Sequence, residues 1–241
     1  METQFQTTIK QAQLPIKAVI FDLDDTLWPQ MPLITGAEQA MFAWLAVHAP
    51  KITEHHNLQT MRAIRAELLP TNPRFSFDLW ALRSAILTKM FTEHGEDVSK
   101  VEHAMQVFAK ARNQVQMYDD VMPVLNTLGK HFRLGSISNG FADLSEIGLA
   151  DHFKVSLAAH QFGCAKPDPR IFLAACEQLN VAPAQAVYVG DDVLLDVQGA
   201  QQAGLKGVWV NRAGKNGLAG IAADFECTDL LSLLGWLQVA D

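Results

Sequence analysis

The stretch Ala18-Val19-Ile20-Phe21-Asp22-Leu23-Asp24-Asp25-Thr26-Leu27 decides the reading of this chain. Four apolar residues suit a short buried strand of a parallel sheet. Asp22, Asp24 and Asp25 follow at once, and carboxylates this close raise one another's pKa unless a cation or charged donors compensate. In an open parallel sheet ligands bind at the carboxyl ends of the strands. If the chain stays extended for two residues, Asp22 and Asp24 share a side. A hard divalent cation on carboxylate oxygen, with a second carboxylate free for proton transfer, accounts for the cluster at least cost. The plainer alternative is a solvated turn that caps a helix.

Working outward, further apolar runs occur at Leu134–Ile137, Ala186–Val189 and Gly207–Val210, with helical patterns between the later ones. Strand and helix alternation predicts an α/β fold with a doubly wound parallel sheet, Rossmann-like in layout. Residues 29–118 differ. They hold no convincing strand, but Ala37, Ala40, Met41, Trp44 and Leu45 share one helical face. Leu79, Leu82, Ile86 and Met90 share another, and Val101, Ala104, Met105 and Phe108 a third. Leu69–Pro73, with two prolines and an asparagine, reads as a break between helices. The expected organisation is a core of residues 1–28 and 119–241 with an all-helical insert at 29–118.

A second acidic group, Gly190-Asp191-Asp192 with Asp196, follows the predicted strand at Ala186–Val189. Asp191 and Asp196 are placed to complete an oxygen-ligand set, of the kind magnesium takes together with water and substrate phosphate. In isolation such a group often only caps a helix. Ser138-Asn139-Gly140 runs from strand into a helix start, where hydroxyl, amide and backbone N–H groups suit an anion. An ordinary helix cap is the alternative there too. In Lys166-Pro167-Asp168-Pro169, Asp168 reads as an N-cap and Pro169 as the first helical residue. The two prolines hold Lys166 on a rigid approach.

Taken in order, D-x-D-x-T, a strand-terminal serine, Lys-Pro and G-D-x-x-x-x-D resemble the signature of the haloacid dehalogenase superfamily over the whole chain. The resemblance implies roles. Asp22 matches the nucleophile that forms an aspartyl-phosphate, and Asp24 the general acid and base. Ser138 matches the hydroxyl that holds the phosphoryl group, with Asn139 and Gly140 beside it. Lys166 matches the lysine that offsets charge on Asp22 and phosphate. Asp22, the backbone carbonyl of Asp24, and Asp191 match the Mg2+ ligands, with Asp196 a ligand or a water-mediated neighbour. Asp192 stands where many relatives carry serine, so either Asp192 or Asp196 completes the metal shell.

The helical insert between the first and second motifs resembles a type 1 cap. The span from Ser138 to Lys166 is too short for a second large cap. Trp28, Arg74, Trp80 and Arg83 are the cap-side candidates for contact with substrate, against a plainer reading of core tryptophan and surface arginine. Within the superfamily the chain is similar to bacterial phosphatases that act on flavin mononucleotide and the phosphorylated ribitylaminouracil precursor of riboflavin. That similarity lies in Phe21–Leu27, Pro32-Leu33-Ile34, Glu38, and Asp78-Leu79-Trp80 with Arg83. The implied activity is hydrolysis of a small phosphomonoester, such as a flavin-related, sugar or nucleotide phosphate. A phosphomutase, a metal-independent 2-haloacid dehalogenase and a non-catalytic binding protein on the same scaffold are the rivals. Asp24 together with Asp191 argues against the dehalogenase.

Composition narrows the class further. Apolar residues make up 49% of 241 positions, enough for a large packed core. A net charge of −7 disfavours nucleic acid and anionic membranes as partners. A small phosphorylated metabolite, met by a monomer or homodimer in the cytoplasm, is the expected setting. The three scattered cysteines suit a reducing compartment. The N-terminal segment is polar and does not read as a signal peptide. Eight histidines without H-x-H or H-E-x-x-H spacing make zinc unlikely, and His55–His56 reads as a solvated turn.

Overall fold

The computed structural model describes residues 15–239. The polar N-terminal segment read from the sequence falls mostly outside them. Six parallel strands form one sheet: β1 Ala18–Phe21, β2 Arg133–Ser138, β3 Val155–Ala158, β4 Ala186–Gly190, β5 Lys206–Val210 and β6 Phe225–Cys227. Their order across the sheet is β3-β2-β1-β4-β5-β6. The chain therefore winds away from β1 in one direction and then in the other, which opens a crevice at the carboxyl ends of β1, β2 and β4.

Register sets what meets there. Phe21 pairs with Ser136 on one side and with Val189 on the other. Asp22 thus lies level with the end of β4, and its N–H donates to the Val189 carbonyl at 2.8 Å. Asp191 and Ser138 follow within two residues of that level. Side chains alternate across the pleat. Val19, Phe21, Val187, Val189, Val208 and Val210 pack on one face, and Ala18, Ile20, Ala186 and Tyr188 on the other. Both faces are apolar because both are covered, as a parallel sheet requires.

Five helices fall within residues 29–118, after β1: α1 Gln30–His48, α2 Pro50–His55, α3 Leu58–Leu68, α4 Leu79–Glu93 and α5 Val101–Arg112. They enclose an apolar core of their own, in which Met41, Leu45, Leu82, Met90, Met105 and Phe108 are buried. Caps fix their starts. The Asn57 side chain accepts from the N–H groups of Gln59 and Thr60 before α3, and that of Asp78 from Ala81 before α4. The break at Leu69–Pro73 is two short tight turns, Leu69–Thr71 and Pro73–Ser76. Six shorter helices follow on the sheet side: α6 Val121–Leu128, α7 Leu144–Ile147, α8 Ala159–Phe162, α9 Pro169–Gln178, α10 Gly199–Gln202 and α11 Leu231–Trp236. Asp168 caps α9 through the Arg170 N–H, with Pro169 its first residue, as the sequence indicates.

Three differences from the sequence reading stand out. Strands β3 and β6 escape it because both are sheet edges, short and of mixed polarity. His56 is not simply a solvated turn residue: its Nε2 lies 2.8 Å from His94 Nε2, and Glu93 joins the pair. Helix packing, which spacing rules do not see, brings these residues together. Trp28 is fully buried in the core beneath the sheet ends and is not a cap-side residue. Among the described residues no helix is long and apolar enough to cross a membrane.

Candidate active site

Lys166 organises the site. Its ammonium is buried and donates to Asp22 Oδ1 at 2.5 Å, Asp196 Oδ1 at 2.6 Å and the Tyr188 hydroxyl at 2.8 Å. The Tyr188 hydroxyl donates in turn to the Ile137 carbonyl. Asn139 fixes the lysine's main chain, donating to its carbonyl at 3.1 Å and accepting from its N–H at 2.9 Å. The Asn139 amide, expected to face phosphate, is thus spent on placing Lys166. Burial opposes the lysine's charge, but Asp196 and then Asp22 more than offset it and hold the group well above its ordinary pKa.

Asp196 reaches the lysine from a widened turn over Val193–Gln198. The Val197 N–H bonds back five residues to the Asp192 carbonyl, so the turn carries one more residue than an α-helical one. The Asp192 side chain caps this turn, accepting from Leu194 and Leu195 N–H at 2.8 Å each. Of the two acids left open by the sequence, Asp192 is a cap and Asp196 is the buried member of the cluster.

Asp22, Asp191 and Asp196 each place one carboxylate oxygen within 4.8 Å of the others. Their electrostatics are those of a donor set short of positive charge. Burial pushes Asp22 up to about 8, with Lys166 opposing and Asp196 and Asp24 adding to the rise. Burial likewise pushes Asp191 to about 6, helped by Asp196 and Asp25 and opposed by Lys215. Three carboxylates facing one ammonium fit a hard divalent cation that takes oxygen ligands. Thr26 Oγ1 donates to Asp22 Oδ2 at 3.2 Å.

The Asp24 side chain is not a free carboxylate. Arg112 Nη2, at the end of α5, lies 2.6 Å from its Oδ1 and 2.7 Å from its Oδ2, and Trp28 Nε1 donates to Oδ1 at 2.8 Å. Arg112 is 1% exposed. It adds a third cation to the magnesium and Lys166 that the motifs suggest. Asp25 next door adopts φ +60°, a left-handed conformation that aspartate tolerates better than most residues, and its carboxylate accepts from the Gln30 N–H at 2.8 Å.

Ser138 Oγ accepts from the Gly140 N–H at 2.9 Å. A Cβ on Gly140 would come within 2.9 Å of Asp24 Oδ2 and 3.2 Å of Ser138 Oγ, so only glycine allows these groups to close around the pocket. That pocket, about 320 Å3, is lined by Asp22, Asp24, Ser138, Lys166, Asp191 and Asp196. A second cavity of about 360 Å3 adjoins it beneath the helices and shares Asp24 and Gly140. Of the cap-side candidates, Arg83 lines this second cavity. It stacks on Phe108 and pairs with the buried Glu38 at 3.7 Å. Trp80 packs edge-on against Phe141, and Arg74 is an exposed partner of Asp78.

A family model for haloacid dehalogenase-like hydrolases matches residues 16–204. The chain belongs to that family. It is 30% identical over 199 residues to the 5-amino-6-(5-phospho-D-ribitylamino)uracil phosphatase of Escherichia coli, covering 81% of this chain and 83% of the relative. It is 32% identical to a phosphoserine phosphatase of Thermus thermophilus, covering 82% and 89%. A structure described as a 2-haloacid dehalogenase from Pseudomonas syringae superposes with TM-score 0.87 at 40% identity, over 92% of this chain and 98% of that one. A phosphatase structure of the same family from Thermococcus onnurineus gives 0.68 at 28% identity, over 92% and 98%. The family spans both phosphoester and carbon–halogen hydrolysis, so the choice between them rests on the side chains of this chain.

Proposed function

We propose that this protein is a Mg2+-dependent phosphatase of small phosphomonoesters that works through an aspartyl-phosphate on Asp22. The convergence of Asp22, Asp191 and Asp196 around a common point, with Lys166 on the near side, carries this reading. A carboxylate that attacks a phosphate dianion needs positive charge at hand, because phosphoryl transfer is mostly positioning and charge neutralisation.

In the proposed reaction Asp22 Oδ attacks phosphorus while the bond from phosphorus to the ester oxygen breaks. Asp24 gives its proton to the departing oxygen. A water then attacks the phosphorus of the acyl phosphate, Asp24 takes the water's proton, and Asp22 is released with inorganic phosphate. Ser138 and Lys166 hold the phosphoryl oxygens, and Lys166 keeps Asp22 oriented. Asp22, Asp191, Asp196 and the Asp24 carbonyl would hold Mg2+, which supplies charge neutralisation between nucleophile and phosphate. Helices α1 to α5 act as a cap that closes the leaving-group side and excludes water.

The Escherichia coli and Thermus thermophilus relatives are named as phosphatases of phosphorylated metabolites, and a ribitylaminouracil phosphate or a related flavin precursor is the first substrate to try. The structural relative described as a dehalogenase supports a second reading, halide release from a 2-haloacid on the same nucleophile. One assay separates them. The purified protein is given 4-nitrophenyl phosphate or 2-chloropropionate, each with Mg2+ and with EDTA. Phosphate release that EDTA abolishes, with no halide, supports the phosphatase. Halide release that survives EDTA, without phosphate turnover, overturns it. The three cysteines are free and buried, in keeping with a reducing compartment.

A further inference from the structure

The Arg112 guanidinium uses one nitrogen, Nη2, for both oxygens of Asp24. Its Nη1 is buried and has no hydrogen-bond partner among the described residues. A desolvated, charged donor left unmatched is costly, and the arrangement makes sense if an acceptor arrives from elsewhere. Arg112 helps to line the cavity beneath the helices. This cavity meets the phosphate pocket at Asp24 and Gly140, so a leaving group carried on the departing oxygen can extend into it.

The charge of that cavity runs against the charge of the chain. Arg62, Arg65, Arg83 and Arg112 line it with only Glu38 and Asp24 as acids, in a protein whose net charge is −7. Glu38 is already matched by Arg62 at 3.3 Å and Arg83 at 3.7 Å. Asp24 is matched by Arg112 itself. With four arginines against two acids the lining keeps a net positive charge, which suits an anionic visitor.

We infer that Arg112 is a specificity-determining residue: Nη1 binds a carboxylate on the leaving group while Nη2 keeps Asp24 aimed at the ester oxygen. The substrate class is a phosphomonoester whose leaving group carries a carboxylate within a few atoms of the phosphate. Guanidinium geometry suits this double task, because its donors point along fixed, separate directions, whereas a lysine ammonium is a single point charge. Glu38, Arg62 and Arg83 line the same cavity.

The inference rests on the phosphatase reading, and the experiment keeps the two apart. Phosphoglycolate and ethyl phosphate, of similar length, are compared at saturating Mg2+, with 4-nitrophenyl phosphate as reference. The wild-type protein should use phosphoglycolate at least about tenfold more efficiently in kcat/KM than ethyl phosphate, the size of one charged hydrogen bond. In Arg112→Lys and Arg112→Gln that preference should fall to near unity, through KM for phosphoglycolate. Turnover of all three substrates should drop through kcat as Asp24 loosens. Equal use of the two substrates by the wild-type protein, or an unchanged ratio in both variants, overturns the inference and leaves the phosphatase reading standing. No Mg2+-dependent phosphate release from any of the three overturns the reading beneath it.

Discussion

Asp196 fills the space that any side chain on Gly190 would need. A Cβ there would lie 2.3 Å from Asp196 Oδ2. Gly190→Ala should therefore expel Asp196 from the Lys166 cluster while leaving β4 in place. The expected outcome is a loss of turnover of roughly a hundredfold or more, with stability lowered by about 1–3 kcal/mol for the overpacking. Steady-state kinetics beside thermal unfolding check it; unaltered turnover would separate Asp196 from the chemistry.

Asp192 and Asp196 should part company on substitution. Asp192→Ala removes only the cap on Leu194 and Leu195, at a cost of about 1 kcal/mol, and should leave Mg2+ affinity within a few-fold of wild type. Asp196→Ala removes a partner of Lys166 and a candidate ligand, and should weaken Mg2+ binding on the order of tenfold to a hundredfold. Calorimetric titration of the two variants with Mg2+ decides the matter. The reverse ranking would make Asp192 the ligand.

Stability should depend on pH in a direction the metal reverses. Burial raises Asp22 to about 8 and Asp191 to about 6, above their unfolded values near 3.8. A raised acid binds its proton more tightly in the folded state. Its contribution is complete below pH about 4 and is lost as pH rises through the folded pKa. Metal-free protein should accordingly lose stability between pH 5 and 8, by something on the order of 2 kcal/mol. Mg2+ should restore most of that loss at pH 8 and little of it at pH 5. Thermal melts with EDTA and with Mg2+ at both pH values would show it, and a flat profile would remove the argument for a charge-starved cluster.

Tyr188→Phe should be structurally mild and chemically visible. The hydroxyl accepts from Lys166 and donates to the Ile137 carbonyl. Its loss removes one of the three acceptors of Lys166 and the side-chain donor on the Ile137 carbonyl, at a cost of about 1–2 kcal/mol. Activity should fall several-fold, since Lys166 keeps its two carboxylates but loses a lateral support. A lowered melting temperature with wild-type kinetics would reduce Tyr188 to a core residue.

Much of this site is legible in the sequence because its residues cluster at strand ends. Asp22 and Asp24 follow β1, Ser138 ends β2, Asp191 follows β4, and the local pattern of apolar run then polar group marks each one. Lys166 sits just before two prolines, Pro167 and Pro169, that announce the start of α9. Arg112 is invisible by the same logic. It is one basic residue in the last turn of an amphipathic helix, an ordinary place for arginine, and its partner lies 88 positions away. Tyr188 is hidden in a strand that is apolar on both faces, where a hydroxyl carries no periodic signal. Asn139 is found as a polar residue in the right place, but the direction of its amide depends on the main chain of Lys166, which only tertiary structure brings near. The strands at the two sheet edges are missed because half-exposed strands dilute the apolar signal.

The pairing of β1 with β4 also says something about inheritance. Two acidic loops written far apart in the gene are clamped at a common height by backbone hydrogen bonds, which tolerate almost any change of side chain outside the crevice. The helices inserted after β1 contribute none of those bonds. A lineage can therefore rewrite the insert freely and try new molecules without disturbing the reactive chemistry, provided it finds some replacement for the single arginine that crosses the seam.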